Sequence, residues 1–240
     1  MKDTDKTIES IVDWLREKVQ DAGAKGVVFG LSGGIDSAVV AALAKKAFPS
    51  ESLGVIMPIN SNPQDEKDAI LVASAFELDT TTVDLAPVYH SFLKALPFEG
   101  ESVLAKANLK PRLRMMTLYY FAQEMGHLVC GTSNKSELEV GYFTKHGDSG
   151  VDLLPIADFV KNEVRELAKA LGIPSEIILK APSAGLWENQ TDEKEMGFSY
   201  EILDNYILTG QGPQEVVDRI QRMNASSAHK RTYPPKFENK

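Results

Sequence analysis

The chain has 240 residues, 43% hydrophobic and 25% charged, a balance that supports one folded core and excludes a disordered or fibrous protein. Its net charge of -8 argues against a nucleic-acid binder or a protein held on a membrane surface, so a polyphosphate ligand would need positive charge gathered locally. A single cysteine, Cys130, excludes an intramolecular disulfide and a cysteine zinc cluster; with a charged start at Met1–Ser10 and no membrane-length apolar run, the expected location is the cytoplasm.

Ile8, Ile11, Val12, Leu15 and Val19 recur at helical spacing and predict an amphipathic first helix within residues 1–25. Gly26–Leu31 reads as a buried strand and Ser37 to about Phe48 as a helix. Ser52–Pro58 follows as a second strand, Asp65–Leu78 as a helix, and the β-branched run Thr80–Leu85 as a third strand. A long helix is expected from Asn108 or Pro111 to Met125, then a fourth strand from His127 to Gly131 that buries Cys130 as a small hydrophobe. This alternation predicts an α/β fold, a doubly wound parallel sheet with helices on both faces and a ligand beyond the carboxyl ends of the strands. Beyond Gly141 the chain becomes rich in Gly, Asp, Thr and Ser, which predicts an ordered loop over Tyr142–Asp152. A helix over Phe159–Leu171 is closed by Gly172 and Pro174, and Lys180–Asp192 lacks periodicity and is expected to be a mobile lid. Short helices at Tyr200–Leu208 and Pro213–Met223 precede a basic tail.

The densest chemistry is Gly30-Leu31-Ser32-Gly33-Gly34-Ile35-Asp36-Ser37, between the first strand and its helix. A strand turning through glycines into a helix gathers backbone N–H groups and a positive dipole end, which is a phosphate site. Ser32 and Ser37 add hydroxyls, while a carboxylate at Asp36 beside polyphosphate implies an intervening cation, Mg²⁺. The loop lacks the Lys of a Walker motif and the spacing of a dinucleotide fingerprint. A second strand end, Gly131-Thr132-Ser133-Asn134-Lys135-Ser136-Glu137, delivers another acid. Glu137 alone reads as a first-turn acid facing a helix dipole; only paired with Asp36 does it read as a second metal ligand. Thr144, Lys145, His146 and Asp148 then crowd one loop with three glycines, and Lys161 starts the next helix, where it could add an ammonium; a solvated connector is the plainer reading.

The run Ser32–Ser37 resembles the pyrophosphate loop of the ATP pyrophosphatases. Together with Gly131–Glu137, Gly141–Asp152, Lys180–Met196, His229–Arg231 and Asn108-Leu109-Lys110-Pro111-Arg112-Leu113-Arg114, it resembles ammonia-dependent NAD synthetase along essentially the whole chain. The resemblance implies a Rossmann-like fold of the adenine nucleotide alpha hydrolase type, in one domain over residues 1–240. Within it would lie an N-terminal helix (1–25), an ATP-binding core (26–172), the lid (180–192) and C-terminal helices with the tail (199–240). It implies adenylation of the carboxylate of nicotinic acid adenine dinucleotide by ATP, then displacement of AMP by ammonia to give NAD. By resemblance Asp36 and Glu137 hold Mg²⁺, and Gly30, Leu31, Ser32, Gly33, Gly34, Asp36, Ser37, Met57, Thr132, Lys161 and Ser183 hold ATP. Asn108, Arg112, Arg114, Lys145, Asp152, His229 and Lys230 fall on the dinucleotide side, and the segment opened by Asn108 also lines a homodimer interface. Asp148 and Lys161 take the catalytic roles, as proton acceptor near the acyl centre and as neutraliser of triphosphate charge.

Two departures stand out: Ser183-Ala184-Gly185-Leu186 replaces a common Thr-Ala-Asp-Leu, and Thr132-Ser133-Asn134-Lys135-Ser136-Glu137 replaces Thr-Asp-His-Ala-Ala-Glu with the terminal acid kept. No glutaminase domain with a nucleophilic Cys is expected, so free ammonia is the expected nitrogen donor unless a separate subunit delivers it. The alternatives are another amidating ligase of the ATP-pyrophosphatase type and a nucleotide sensor without turnover.

Overall fold

The computed structural model describes residues 3–98, 100–183, 185 and 191–238. Asp3 caps α1 (Thr4–Asp21), whose apolar stripe from Ile8 to Val19 is buried. There follow β1 (Gly26–Gly30), α2 (Ile35–Ala47), β2 (Ser52–Ile56), α3 (Pro63–Ala75) and β3 (Asp79–Thr82). Next come α4 (Ala86–Ala95), α5 (Val103–Met125), β4 (His127–Cys130), α6 (Lys135–Val140) and α7 (Lys161–Leu171). The chain continues through α8 (Ser175–Leu179), α9 (Asp192–Met196), α10 (Tyr200–Thr209), α11 (Gln214–Ser227) and a 3₁₀ turn, Ala228–Lys230.

All pairings in the sheet are parallel, in the order β3-β2-β1-β4. Val27 and Phe29 face one apolar layer shared with α1, α2 and α7, while Val28, Val55 and Val129 face the other, shared with α4 and α5. Both faces are therefore covered, which explains why β1 is apolar at every central position rather than alternating. The strand order reverses between β1 and β4, so the crevice past their carboxyl ends lies between the turns that begin at Leu31 and Gly131. A third cluster, built from α6, α9, α10 and α11 around Tyr200, Leu203 and Ile220, packs beside that end.

The structure departs from the sequence expectations in several places, among them an unexpected helix α8 and an α11 that runs on to Ser227. Helix α5 starts at Val103 and runs through Pro111, because Ser102 caps it and Pro111 lies buried in the helix face. That packing outweighs the roughly 3 kcal/mol a mid-helix proline costs. Helix α4 was not expected; its Pro87 sits in the first turn, where proline is tolerated. Strand β3 ends at Thr82, and Asp192, expected in the lid, begins α9. Residues 184 and 186–190 of the expected lid lie outside the described residues.

Candidate active site

The loop after β1 is shaped by its own hydroxyls. Ser37 Oγ donates to the Gly34 carbonyl (2.9 Å) and accepts from the Ser32 amide (3.3 Å), and Ser32 Oγ accepts from the Gly34 amide (3.3 Å). Ser37 is buried, so its hydroxyl builds the turn, whereas Ser32 is exposed. Gly33 adopts φ +77°, and a Cβ there would strike the Asp65 carbonyl oxygen, so only glycine fits. Gly34 is the N-cap of α2 and gives the helix no side-chain cap, which leaves its amides and dipole for an anion.

Asp36 lies in the first turn of α2 and Glu137 in the first turn of α6. Between them sits the ammonium of Lys161, the first residue of α7, 2.5 Å from Asp36 Oδ2 and 3.3 Å from Glu137 Oε1. Lys161 is 1% exposed, and its Nζ lies 4.9 Å from the centre of the Tyr200 ring. Burial works against its charge, but the Asp36 and Glu137 carboxylates outweigh that and hold the ammonium protonated above the usual lysine range. Burial pushes the Glu137 carboxyl up to about 8, although Lys161 pulls the other way.

Further side chains fix these groups in place. The fully buried Asn134 donates from Nδ2 to Asp36 Oδ1 (2.9 Å) and accepts from the Glu137 amide (3.0 Å), while Glu137 Oε2 accepts from the Asn134 amide (3.3 Å). Glu137 thus has both roles at once: one oxygen completes a capping box, and the other meets Lys161. Ser136 Oγ accepts from the Lys161 amide (3.0 Å) and donates to Asp204 Oδ1 (2.6 Å), and Asp204 Oδ2 accepts from the Asn162 amide (2.8 Å). The start of α7 is thereby tied to α6 and α10.

A second group forms around the loop 141–152. Thr144 donates through Oγ1 to Asn108 Oδ1 (2.9 Å), Arg112 donates to the Lys145 carbonyl (3.2 Å), and Lys145 Nζ donates to the His229 carbonyl (2.7 Å). Lys230 Nζ donates to the carbonyls of Gly141 (2.8 Å) and Phe143 (2.9 Å). Asp148 lies inside this group and accepts from the Thr144 amide (2.7 Å). Burial pushes its carboxyl up to about 6, against the pull of that amide and of Lys230 and Arg114. Arg114 stands between the two groups: its Nε donates to the Met57 carbonyl (3.0 Å), and burial lowers its proton affinity against the opposing charges of Asp148 and Asp65. Asp65 in turn binds Lys180 (2.8 Å), whose Nζ also meets Asp68 (2.5 Å) and the Gly33 carbonyl (3.4 Å).

Three residues singled out in the sequence stand apart from both groups. Asp152 accepts from Tyr119 Oη (3.0 Å) and from the Val129 amide (2.8 Å), so both its oxygens tie the loop to β4 and α5. Exposed Ser183 accepts from the Gly185 amide (3.1 Å), and Thr132 is half-buried past the end of β4. Cys130 is buried in β4, where burial pushes its thiol up to about 12, unlike a nucleophile. Sequence reading missed Asn134, Lys180, Asp192 and Tyr200. Only Asn134 had a local signal, the Asn-x-x-Glu spacing of a capping box; the others arrive through long-range packing.

Two carboxylates converging beside an anion-binding loop suit Mg²⁺, which takes one or two protein carboxylates and completes its octahedron with phosphate oxygens and water. Among the described residues no three acidic, histidine or cysteine side chains come close enough to hold a metal unaided. The donor set therefore fits an ion that arrives with a phosphate ligand.

A family model described as NAD synthase matches residues 7–234. This chain belongs to the NAD synthase family. Among members, the NH(3)-dependent NAD(+) synthetase of Carboxydothermus hydrogenoformans is 56% identical over 230 residues, 94% of each chain. An NMN synthetase from Francisella tularensis superposes with a TM-score of 0.95 at 37% identity, covering 99% of both chains. The NH3-dependent NAD synthetase from Campylobacter jejuni, solved with nitrate, superposes at 0.82 with 32% identity, covering 98% of this chain and 99% of that one. The parallel sheet and its covering helices are thus the NAD synthase fold.

Proposed function

We propose that this NAD synthase family member is a C–N ligase that amidates the nicotinate carboxylate of nicotinic acid adenine dinucleotide with ammonia, converting ATP to AMP and pyrophosphate. The observation that carries this reading is the meeting of Asp36, Glu137 and Lys161 beside the glycine loop at the crossover between β1 and β4. Such a cluster serves the charge of a departing pyrophosphate. ATP would lie across Gly30, Leu31, Ser32, Gly33, Gly34 and Ser37, with Met57, Thr132 and Ser183 around it. Mg²⁺, held by Asp36 and Glu137, would neutralise β,γ-phosphate charge when bound.

The nicotinate oxygen attacks the α-phosphorus, the bond to the β-phosphate bridging oxygen breaks, and pyrophosphate leaves. Lys161 releases its carboxylates and follows the developing negative charge. Ammonia then attacks the acyl carbon, AMP leaves, and Asp148 accepts a proton from the new ammonium-like nitrogen. Asn108, Arg112, Arg114, Lys145, His229 and Lys230 hold the dinucleotide, and Asp152 supports that side through the loop. Burial keeps Asp148 close to a working base, since a carboxyl at about 6 is ionised at neutral pH yet more basic than an exposed aspartate.

The chain also works as a homodimer. Val88 and Phe92 on α4, Leu96 just beyond it, and Val103, Leu104, Met116 and Tyr120 on α5 are exposed large apolar side chains on two helices packed together. A face of that kind supports burial against a second copy.

One observation favours a second reading. The Francisella tularensis neighbour that superposes at 0.95 makes NMN, so the mononucleotide acid could replace the dinucleotide as substrate. Purified protein is to be incubated with ATP, Mg²⁺ and ammonia, and with either acid. Faster amidation of the dinucleotide, with equal AMP and pyrophosphate, supports the main reading. A higher kcat/KM for the mononucleotide overturns it in favour of the second, and ATP binding without pyrophosphate identifies a sensor. Equal turnover with glutamine and ammonia would contradict ammonia as the donor.

A further inference from the structure

Asp192 has no part in the chemistry above, yet its side chain lies in the same buried space. The residue is 3% exposed, and its Oδ2 accepts from Tyr200 Oη at 2.9 Å. The Tyr142 hydroxyl also acts on this carboxylate, yet Oδ1 is the one buried carboxylate oxygen among the described residues without a hydrogen-bond partner. Tyr200 is the residue whose ring lies against Lys161 Nζ. The Asp192 charge acts on Lys161, Glu137 and Asp36, the three groups of the cation centre. An acid oxygen buried with no donor is costly, and native structures resolve such atoms with water or an ion.

We infer that Asp192 is a third acid of the cation site, its Oδ1 accepting a hydrogen bond from a water in the hydration shell of the divalent ion held by Asp36 and Glu137. This rests on the divalent-cation reading of those two residues. Contact through water agrees with the spacing, because Asp192 does not converge with Asp36 and Glu137 tightly enough for three acids to share one ion directly. It also agrees with the chemistry of Mg²⁺, which sheds its waters reluctantly. Asp192 has a further link: its amide donates to the Pro182 carbonyl at 3.1 Å. One residue thus joins the cation centre to the chain neighbour of Ser183.

The test is Mn²⁺ affinity, read by water-proton relaxation on the full chain with a non-hydrolysable ATP analogue. Asp192→Asn keeps an acceptor for Tyr200 and offers an N–H where the water needs an oxygen. Its Mn²⁺ affinity is expected to fall about 10- to 100-fold, the usual loss when a group bonded to a metal's ligands is removed. Asp192→Glu, which restores the charge, should recover part of that loss. If Asp36→Asn binds Mn²⁺ as the unaltered protein does, the cation reading itself fails. If Asp36→Asn loses binding while Asp192→Asn keeps it and merely melts earlier, Asp192 is a structural anchor and the inference alone is overturned. A measurement independent of variant folding uses the unaltered protein with ¹³C-labelled aspartate. The Asp192 carboxyl resonance should move on adding Mg²⁺ with the analogue; a fixed Asp192 signal beside a moving Asp36 signal overturns the inference.

Discussion

Replacing Lys161 by Met removes one buried charge from between two carboxyl groups. Methionine fills similar volume, so the effect isolates the ammonium. With Lys161 at 1% exposure, 2.5 Å from Asp36 and 3.3 Å from Glu137, the variant keeps buried acid without its counter-charge. The cluster can relieve itself by taking up a proton. At pH 7, protonating a carboxyl of ordinary affinity near 4 costs ~4 kcal/mol, and at pH 5 ~1.4 kcal/mol. The first figure falls within the roughly 3–5 kcal/mol expected for breaking a buried pair. For a chain of this size, ~4 kcal/mol corresponds to about 8–16 °C in melting temperature. The sign follows from the lost ammonium: Lys161 pulls the Glu137 carboxyl down against burial, so without it the carboxyls of the cluster bind protons more tightly in the fold. A carboxyl raised in this way contributes stability that is complete at low pH and is lost as pH rises, so the acid that has lost its counter-charge is penalised more at pH 7 than at pH 5. The deficit of the variant should therefore be large at pH 7 and shrink towards pH 5. Mg²⁺ should raise the melting temperature of the variant more than that of the unaltered protein, because it restores positive charge to the same acids. Differential scanning calorimetry across pH reads both effects. A variant that melts within about 2 °C of the unaltered protein at pH 7, with no change in that gap at lower pH, would refute the electrostatic account of this cluster.

Asp148→Asn should reduce the ammonia-dependent step about 10²–10⁴-fold while ATP binding persists; a variant keeping a tenth of kcat would exclude a proton-accepting role. In the unaltered enzyme that step should decline as pH falls through about 6, where Asp148 takes up its proton. The raised carboxyl also means that its ionisation opposes folding as pH rises through about 6, so Asp148→Asn should melt no lower, and even higher, at neutral pH. Gly33→Ala forces a side chain into φ +77° and against the Asp65 carbonyl, at a cost of about 1–3 kcal/mol in urea titrations, with weaker ATP binding. An unchanged urea midpoint would show that the loop can relax. Met116→Asp with Tyr120→Asp should give a monomer in sedimentation velocity, and an intact dimer would remove α5 from the interface.

Much of this protein was determined by sequence alone, because the decisive signals are local. The apolar run Val27–Phe29 followed by Ser32–Ser37 specifies a buried strand, a glycine turn and an anion-ready helix end, since each step depends on a few neighbouring residues. The Asn-x-x-Glu spacing likewise specifies the start of α6. Only the tertiary structure decided that Lys161 would stand between Asp36 and Glu137, since that requires the crossover order β2-β1-β4 and the anchoring of α7 by Ser136 and Asp204. It also decided that Pro111 would sit within a helix, where burial overrides local preference, and that Asp192 would turn inward from the far end of a non-periodic segment. Short-range preferences act over three or four residues. The meeting of charges from distant stretches depends on which faces the whole core buries, and no window of sequence contains that information.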